Sequence, residues 1–310
     1  MEKVKIHFLN TIWSDAIILE NNNHYAFIDT ASDFYYPMIK NHLKQHNIID
    51  IDFILLTHFH SDHYGNVASL IKDYNVKTLY MKRYYGVEGS TGSGAKSDEE
   101  FLENEKNNYN KILLSAKENN TKVVFINDFN SDIYTISFNN IDIELYKIQN
   151  YLYNIYTNKN SKYYNQKVFN ENHNSIGVFF KVNDFNIFMG SDLICLDNEL
   201  TQLDNSAIKI IKEIYKRHNI NHIDLYKSNH HGHFENNPYE LVKLINPSYT
   251  IITNSPKWTD NYSTIKDIKK VNPNAIILHT DYHKYIFDIS NEINYQEIKE
   301  ESLFITLKKE

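Results

Sequence analysis

Three imidazoles and one carboxylate fall between His58 and His63, in the run Thr57-His58-Phe59-His60-Ser61-Asp62-His63. The run follows Ile51–Thr57, a continuous apolar segment of the kind buried on both faces of a sheet. On an extended chain, side chains at i and i+2 point the same way, so His58 and His60 can share one metal ion. The turn that follows lets Asp62 and His63 address a second ion nearby. Imidazole plus carboxylate suits zinc, and also manganese or iron. Neutral His and ionised Asp are the forms present near pH 7. The competing reading is a solvated polar loop, which this density of ligands directly after a buried strand disfavours.

Two later segments have residues that complete such a centre. Phe188-Met189-Gly190-Ser191-Asp192 puts a carboxylate after an apolar strand, where Asp192 could bridge both ions. Asn229-His230-His231-Gly232 also follows a short strand and offers one more imidazole. Alone, Asp192 reads as a turn residue or helix cap, and a His pair reads as surface. The combination carries the argument. Two ions bridging a water lower its pKa toward neutrality and supply a nucleophile, which puts Asp62 and Asp192 at the centre of the chemistry. No Gly-x-Ser-x-Gly elbow is present, and Cys195 has no supporting motif. His283 and His279, near strand ends, are candidates to protonate a leaving group, with an ordinary surface role as the alternative for each.

The elements that would position these residues are readable from periodicity. Val4–Phe8, Ala16–Leu19 and Ala26–Ile28 read as strands, and a helix follows Pro37. Asn66–Tyr74 reads as a helix and Lys77–Met81 as a strand. Ser97-Asp98-Glu99-Glu100 is a capping box opening a long amphipathic helix. Later strands are expected at Lys122–Phe125, Ile133–Ile136, Ile141–Ile148, Ser175–Val182, Phe185–Met189, Asp224–Tyr226, Tyr249–Thr253, Ala275–His279, Tyr285–Ile289 and Ser302–Thr306. Helices are expected at Ala207–His218, Pro238–Ile245 and Ser263–Val271. Strands before helices, twice over, predict an α/β protein with two sheets packed together and helices outside. No low-complexity linker interrupts residues 1–310, which reads as a single domain.

Composition sets outer bounds. The 310 residues are 42% hydrophobic and 23% charged, as in ordinary soluble enzymes. A net charge of -7 argues against long nucleic acid as partner, because that binding relies on Lys and Arg neutralising phosphates. Cys195 is the lone cysteine, so no intrachain disulfide forms. No stretch approaches the roughly 20 apolar residues of a membrane span, and the N-terminus lacks a signal-peptide pattern, which leads to a cytoplasmic expectation unless a signal has been removed. Oligomeric state is not readable.

These motifs resemble the metallo-β-lactamase superfamily over nearly the whole chain. His58, His60, Asp62 and His63 match its His-x-His-x-Asp-His motif without a gap, and Asp192 matches its bridging aspartate. The resemblance implies the αββα sandwich, with two mixed β-sheets face to face and helices outside. It implies two divalent ions, zinc first and Mn or Fe next, and a supporting role behind the His loop for Asp29 in Phe27-Ile28-Asp29-Thr30. His231 is favoured by the match as a ligand, with His230 behind it. Where most members place a further histidine, Asn172-His173-Asn174-Ser175 stands here, so His173, Asn174 or water completes the first ion.

His7-Phe8-Leu9, Asp15-Ala16-Ile17-Ile18 and the His-His-Gly segment look like the hydrolase domain of bacterial DNA-uptake channels. The stretches His58–Asn66, Leu79–Tyr84, Asn174–Asp192, Asp224–His231, Pro247–Pro256 and Tyr282–Ile289 are similar to the catalytic module of bacterial phosphorylcholine esterases. That branch implies a phosphodiesterase acting on small-molecule or cell-wall phosphocholine esters. Tyr84, Tyr85, Trp258, Tyr262 and Tyr282 then stand where site loops fall and could hold a quaternary ammonium. A nuclease or cyclic-nucleotide phosphodiesterase, a lactonase or other acyl hydrolase, and a non-catalytic metal-binding protein are the competing readings. Intact ligands weigh against the last.

Overall fold

A computed structural model describes residues 2–85, 98–147, 153–155, 157, 159–162, 164–169, 171–195, 207–259, 263–281 and 283–299. Two mixed sheets form the centre. The first joins β1 (Val4–Phe8), β2 (Ala16–Asn21), β3 (His24–Thr30), β4 (Asp50–Leu55), β5 (Asn75–Met81) and β6 (Lys122–Phe125), with β16 (His283–Ile289) and β17 (Ile293–Lys299) at the β1 edge. Its order is β17-β16-β1-β2-β3-β4-β5-β6, antiparallel up to β3 and parallel from β3 to β6.

The second sheet joins β7 (Ile133–Phe138), β8 (Ile141–Tyr146), β11 (Gly177–Val182), β12 (Phe185–Met189), β13 (Leu225–Lys227), β14 (Tyr249–Ile252) and β15 (Ile276–His279). Its order is β15-β14-β13-β12-β11-β8-β7, and the run from β12 to β15 is parallel. A small separate pair joins β9 (Tyr153–Ile155) antiparallel to β10 (Lys167–Phe169).

Period-two alternation builds the layers. Val4, Ile6 and Phe8 join Val178, Phe180, Leu225 and Ile251 in the core between the sheets, while the intervening Lys5 and His7 face outward. On the outer face of the first sheet pack α1 (Tyr36–Gln45), α3 (Val67–Asp73) and α4 (Asp98–Glu118), through Ile39, Leu43, Leu70 and Ile112. On the second sheet pack α5 (Ala207–His218) and α6 (Tyr239–Ile245), through Ile211, Ile214, Leu241 and Ile245. The two mixed sheets with flanking helices are the αββα arrangement expected from the sequence.

Several local expectations shift. The turn expected at Asp62 and His63 is a short helical one, α2 (Ser61–Tyr64). The segment around Trp258 is likewise helical, α7 (Pro256–Thr259), and is followed by α8 (Ser263–Val271). The final described strand is β17, which its mostly polar, exposed pattern conceals. The expected strand Ser302–Thr306 lies outside the described residues. Among the described residues no helix is long and apolar enough to cross a membrane.

Candidate metal centre

The parallel strands of both sheets deliver the predicted residues from their C-terminal ends, where α/β sheets place ligands. Asp29 lies one residue before the end of β3, His58 to His63 follow β4, Asp192 follows β12, His231 follows β13 and Thr253 follows β14. Several of these positions adopt left-handed backbone: Asp29 (φ 58), Ser191 (φ 49), His230 (φ 45) and His231 (φ 51). Such conformations in non-glycine residues cost about 1–3 kcal/mol each and cluster at functional sites.

The side chains gather into two groups whose ligand atoms lie within 4.8 Å of one another: His58, His60 and Asp192, and Asp62, His63, Asp192 and His231. Asp192 belongs to both. Its Oδ2 lies 3.7 Å from His58 Nε2 and 3.4 Å from His63 Nε2, and its Oδ1 lies 3.7 Å from His231 Nε2. Asp62 Oδ2 lies 3.4 Å from His63 Nε2 and 3.1 Å from His231 Nε2.

Behind them, hydrogen bonds fix which ring nitrogen faces the centre. His63 Nδ1 donates to Asp29 Oδ2 at 2.8 Å. Asp29 also accepts from the Thr57 backbone N–H (2.8 Å) and hydroxyl (2.7 Å). The Thr57 proton is thereby used, and Ser191 Oγ lies 2.6 Å from Thr57 Oγ1 and 3.3 Å from His58 Nδ1. With Ser191 donating to Thr57, His58 Nδ1–H donates to Ser191. His231 Nδ1 lies 3.3 Å from Asp15 Oδ1 and 2.9 Å from Thr253 Oγ1, which itself donates to Asp15 at 2.6 Å. Three imidazoles are thus anchored through Nδ1 and present Nε2 inward, the arrangement by which outer hydrogen bonds orient metal-ligating histidines.

The residues fit a divalent metal centre. His63 Nε2 and Asp192 Oδ1 are buried with no hydrogen-bond partner. Burial opposes ionisation of Asp192, yet the charges of His63, His230 and His231 hold its carboxyl well below the usual range. Burial opposes protonation of His63, but Asp192, Asp62 and Asp29 raise it well above an ordinary histidine. Burial likewise opposes, and Asp192 and Asp15 overcome, for His231, which is pushed up to about 9. A bound cation would offset these carboxylates in place of protons. Burial and the charge of His63 push His58 well down, which keeps it neutral.

The sequence reading missed the pair beneath His231. Lys227, 1% exposed, forms an ion pair with the equally buried Asp15 and reaches the Ser191 carbonyl at 3.3 Å. Burial opposes, and Lys227 and His231 overcome, to hold the Asp15 carboxyl well below the usual range. Trp13 (φ 52) was also missed. It is 36% exposed, with its ring 6.1 Å from that of His231.

Other candidates stand apart from the two groups. His173 is half-buried in the turn before β11 and belongs to neither. That turn is tied to the His loop, since Glu171 Oε2 accepts from Phe59 N at 3.2 Å and Ile176 N donates to the Thr57 carbonyl at 3.2 Å. His230 lies 3.7 Å from Asp192 and 3.2 Å from Asn236 Oδ1, so it stands beside the groups rather than in them. His283 pairs with Glu297 at 3.3 Å across β16 and β17. Tyr84 packs on Phe59, with ring centroids 4.7 Å apart, beneath the His loop. Tyr85 and Trp258 are 49% and 53% exposed. Tyr262 and Tyr282, and the loop 86–94, lie outside the described residues.

One glycine holds the two late loops together. A Cβ on Gly190 would fall 1.6 Å from Asn229 Oδ1. Asn229 accepts there from Tyr226 and donates to the Leu193 and Asn236 carbonyls, so it joins the Asp192 loop to the His231 loop. Gly190→Ala should therefore cost roughly 3 kcal/mol or more, the upper end for overpacking. Thermal unfolding checks this, and a parental melting temperature would show that the two loops do not depend on this contact.

Comparison with known proteins agrees with the geometry. The family model described as the metallo-beta-lactamase superfamily matches residues 14–113. A UPF0173 metal-dependent hydrolase of Staphylococcus aureus (strain JH9) is 32% identical over 111 residues, covering 32% of this chain and 43% of the relative. Its counterpart in strain Newman gives the same figures. The chain thus matches less than half the length of these relatives. Among solved structures, Tm1679, a metal-dependent hydrolase of the beta-lactamase superfamily, superposes with a TM-score of 0.52 at 13% identity, over 97% of this chain and 100% of that one. A CmlA beta-hydroxylase mutant also gives 0.52, at 10% identity, over 92% of this chain and 54% of that one. The chain has the metallo-β-lactamase fold. The superfamily model matches residues 14–113 only, and the curated relatives are described as metal-dependent hydrolases. The fold alone does not set the reaction, since one neighbour is a hydrolase and the other a hydroxylase.

Proposed function

We propose that this chain is a dinuclear metal-dependent hydrolase acting on a phosphodiester of the phosphocholine type. The observation that carries the dinuclear reading is Asp192, a buried carboxylate shared by two ligand groups. His58, His60 and Asp192 would hold one ion, with His173, Asn174 or water completing it. Asp62, His63, His231 and Asp192 would hold the other. Bound divalent ions supply Lewis acidity and a nucleophile from water at neutral pH.

The chain's own residues set what fits there. Asp62 and Asp192 within the two groups, with Asp29 behind His63, carry fewer negative charges than two divalent ions carry positive ones. Asp15 is already balanced by Lys227. The surplus positive charge favours an anionic substrate such as a phosphodiester. Asp62, whose side chain is 28% exposed, is the least buried ligand of the second group, and against its burial His63 and His231 hold its carboxyl well below the usual range. Exposed rings support a cationic head group, since a quaternary ammonium is held by aromatic faces. Trp13 stands beside His231, and Trp258 is exposed on α7 after β14.

The test is parallel steady-state hydrolysis of bis-p-nitrophenyl phosphate, p-nitrophenyl phosphorylcholine and a homoserine lactone by metal-loaded protein. The phosphorylcholine ester should have the highest kcat/KM. Loss of one cation–π contact, worth about 0.5–2 kcal/mol, corresponds to roughly threefold to thirtyfold in affinity. Trp258→Ala and Trp13→Ala should raise KM for the choline ester by that factor and spare the neutral-headed diester. Equal effects on both would remove the choline reading, and preference for the lactone would replace phosphodiester with acyl chemistry.

A further inference from the structure

A second cluster of imidazoles lies on the outer face of the first sheet and shares no residue with the centre described above. Alternation along β1 turns His7 outward, and α1 packs over it. His42 and His46, four residues apart on and at the end of α1, share one helix face. Ligand-capable nitrogens of His7, His42 and His46 all lie within 4.8 Å of one another. His7 Nδ1 is 3.0 Å from His42 Nε2, and the ring centroids of the three pairs are 5.1, 5.1 and 4.4 Å apart. His7 and His42 are 0% and 2% exposed, and Nδ1 of His42 has no hydrogen-bond partner.

We infer that His7, His42 and His46 form a separate binding site for a borderline divalent cation, for which zinc is the reference ion. Tetrahedral zinc with Zn–N near 2.0–2.1 Å spaces adjacent ligand nitrogens by roughly 3.3 Å, close to the 3.0 Å between His7 and His42. Nε2 of His7 lies 3.1 Å from Glu20 Oε2, so a metal on Nδ1 would leave Nε2–H donating to a carboxylate. That is the usual outer support of a metal-bound histidine. Glu20 is also paired with Lys5 at 2.8 Å, and Lys284 donates to Gln45 at 3.4 Å, so the neighbouring ammonium groups have partners of their own. Burial, with the charges of His7, His46 and Lys284, takes His42 down to about 2, which keeps it in the neutral, ligating form. A cleft of about 280 Å³, lined by His7, His46, Lys5, Ile286, Asp288 and Gln296, opens on the cluster. The fourth coordination position would face that cleft, open to water or a small anion. Three imidazoles suit zinc, copper or nickel better than magnesium or calcium.

The experiment counts zinc. Full-length protein is stripped with chelator, saturated with zinc chloride and freed of excess, and bound metal is measured by elemental analysis. The parent should hold one zinc more than His46→Gln. Asp192→Ala should retain one zinc, and adding His46→Gln to it should remove that ion. Zinc should raise the melting temperature of Asp192→Ala and leave Asp192→Ala/His46→Gln unmoved. The one-zinc difference made by His46→Gln, in the parent and in Asp192→Ala alike, does not depend on how many ions the first centre holds. Equal zinc in the parent and His46→Gln would overturn the site and leave a hydrogen-bonded cluster of neutral imidazoles. His42→Gln gives the same comparison if His46→Gln does not fold.

Discussion

Asp192→Ala should empty both ligand groups of the proposed dinuclear centre together and reduce hydrolysis by more than roughly 10³-fold, above the cost of losing one electrostatic donor. The carboxylate lies 3.4 Å from His63, 3.7 Å from His58 and 3.7 Å from His231, so it is the contact common to both groups. Without it, the first group keeps only His58 and His60, and the second loses half of its carboxylate charge. The fold should persist, because the turn at Asp192 is held by backbone and Asn229 contacts, including Leu193 N to the Gly190 carbonyl at 3.1 Å. Asp62→Ala is the control. It touches only the second group, so it should lower occupancy of one ion. Elemental analysis with activity on the preferred ester decides the matter. If Asp192→Ala loses one ion or none, Asp192 is not a bridge.

Lys227→Met should destabilise the metal-free protein by roughly 3–5 kcal/mol, the range for removing one partner of a buried ion pair. Lys227 and Asp15 are each 1% exposed, and Asp15 would be left as a buried carboxylate with Thr253, His231 and, at 4.0 Å, His63 beside it but no ammonium partner. Adding Asp15→Asn removes the uncompensated charge and should recover most of that loss. The double variant should still bind metal more weakly at the second group, by about 10–100-fold, as outer-shell changes do, because Asp15 no longer fixes the His231 ring. Urea unfolding gives the stability arm and zinc titration the binding arm. A single variant within about 1 kcal/mol of the parent would mean that the pair does not carry its surroundings.

The ligand run was legible in sequence because it is local. His58, His60, Asp62 and His63 are neighbours in the chain, and a buried apolar strand ahead of them fixes where they emerge. The layer order was legible for the same reason, since period-two and period-3.6 patterns report burial one element at a time. Tertiary structure decided what depends on distant partners. Asp192 meets His58 only when the ends of β4 and β12, from different sheets, come together across the sandwich. Asp15 and Lys227 lie in unrelated segments, and a charged side chain shows no local sign that a counter-charge awaits it. His7 looked like an ordinary strand residue until α1 laid His42 and His46 over it. Tyr84 is packed against Phe59, whereas Trp13, in a left-handed turn between β1 and β2, stands beside His231. Local patterning sets which residues are buried or extended. Only the packing of the two sheets and their helices sets which buried groups share a charge, a proton or an ion.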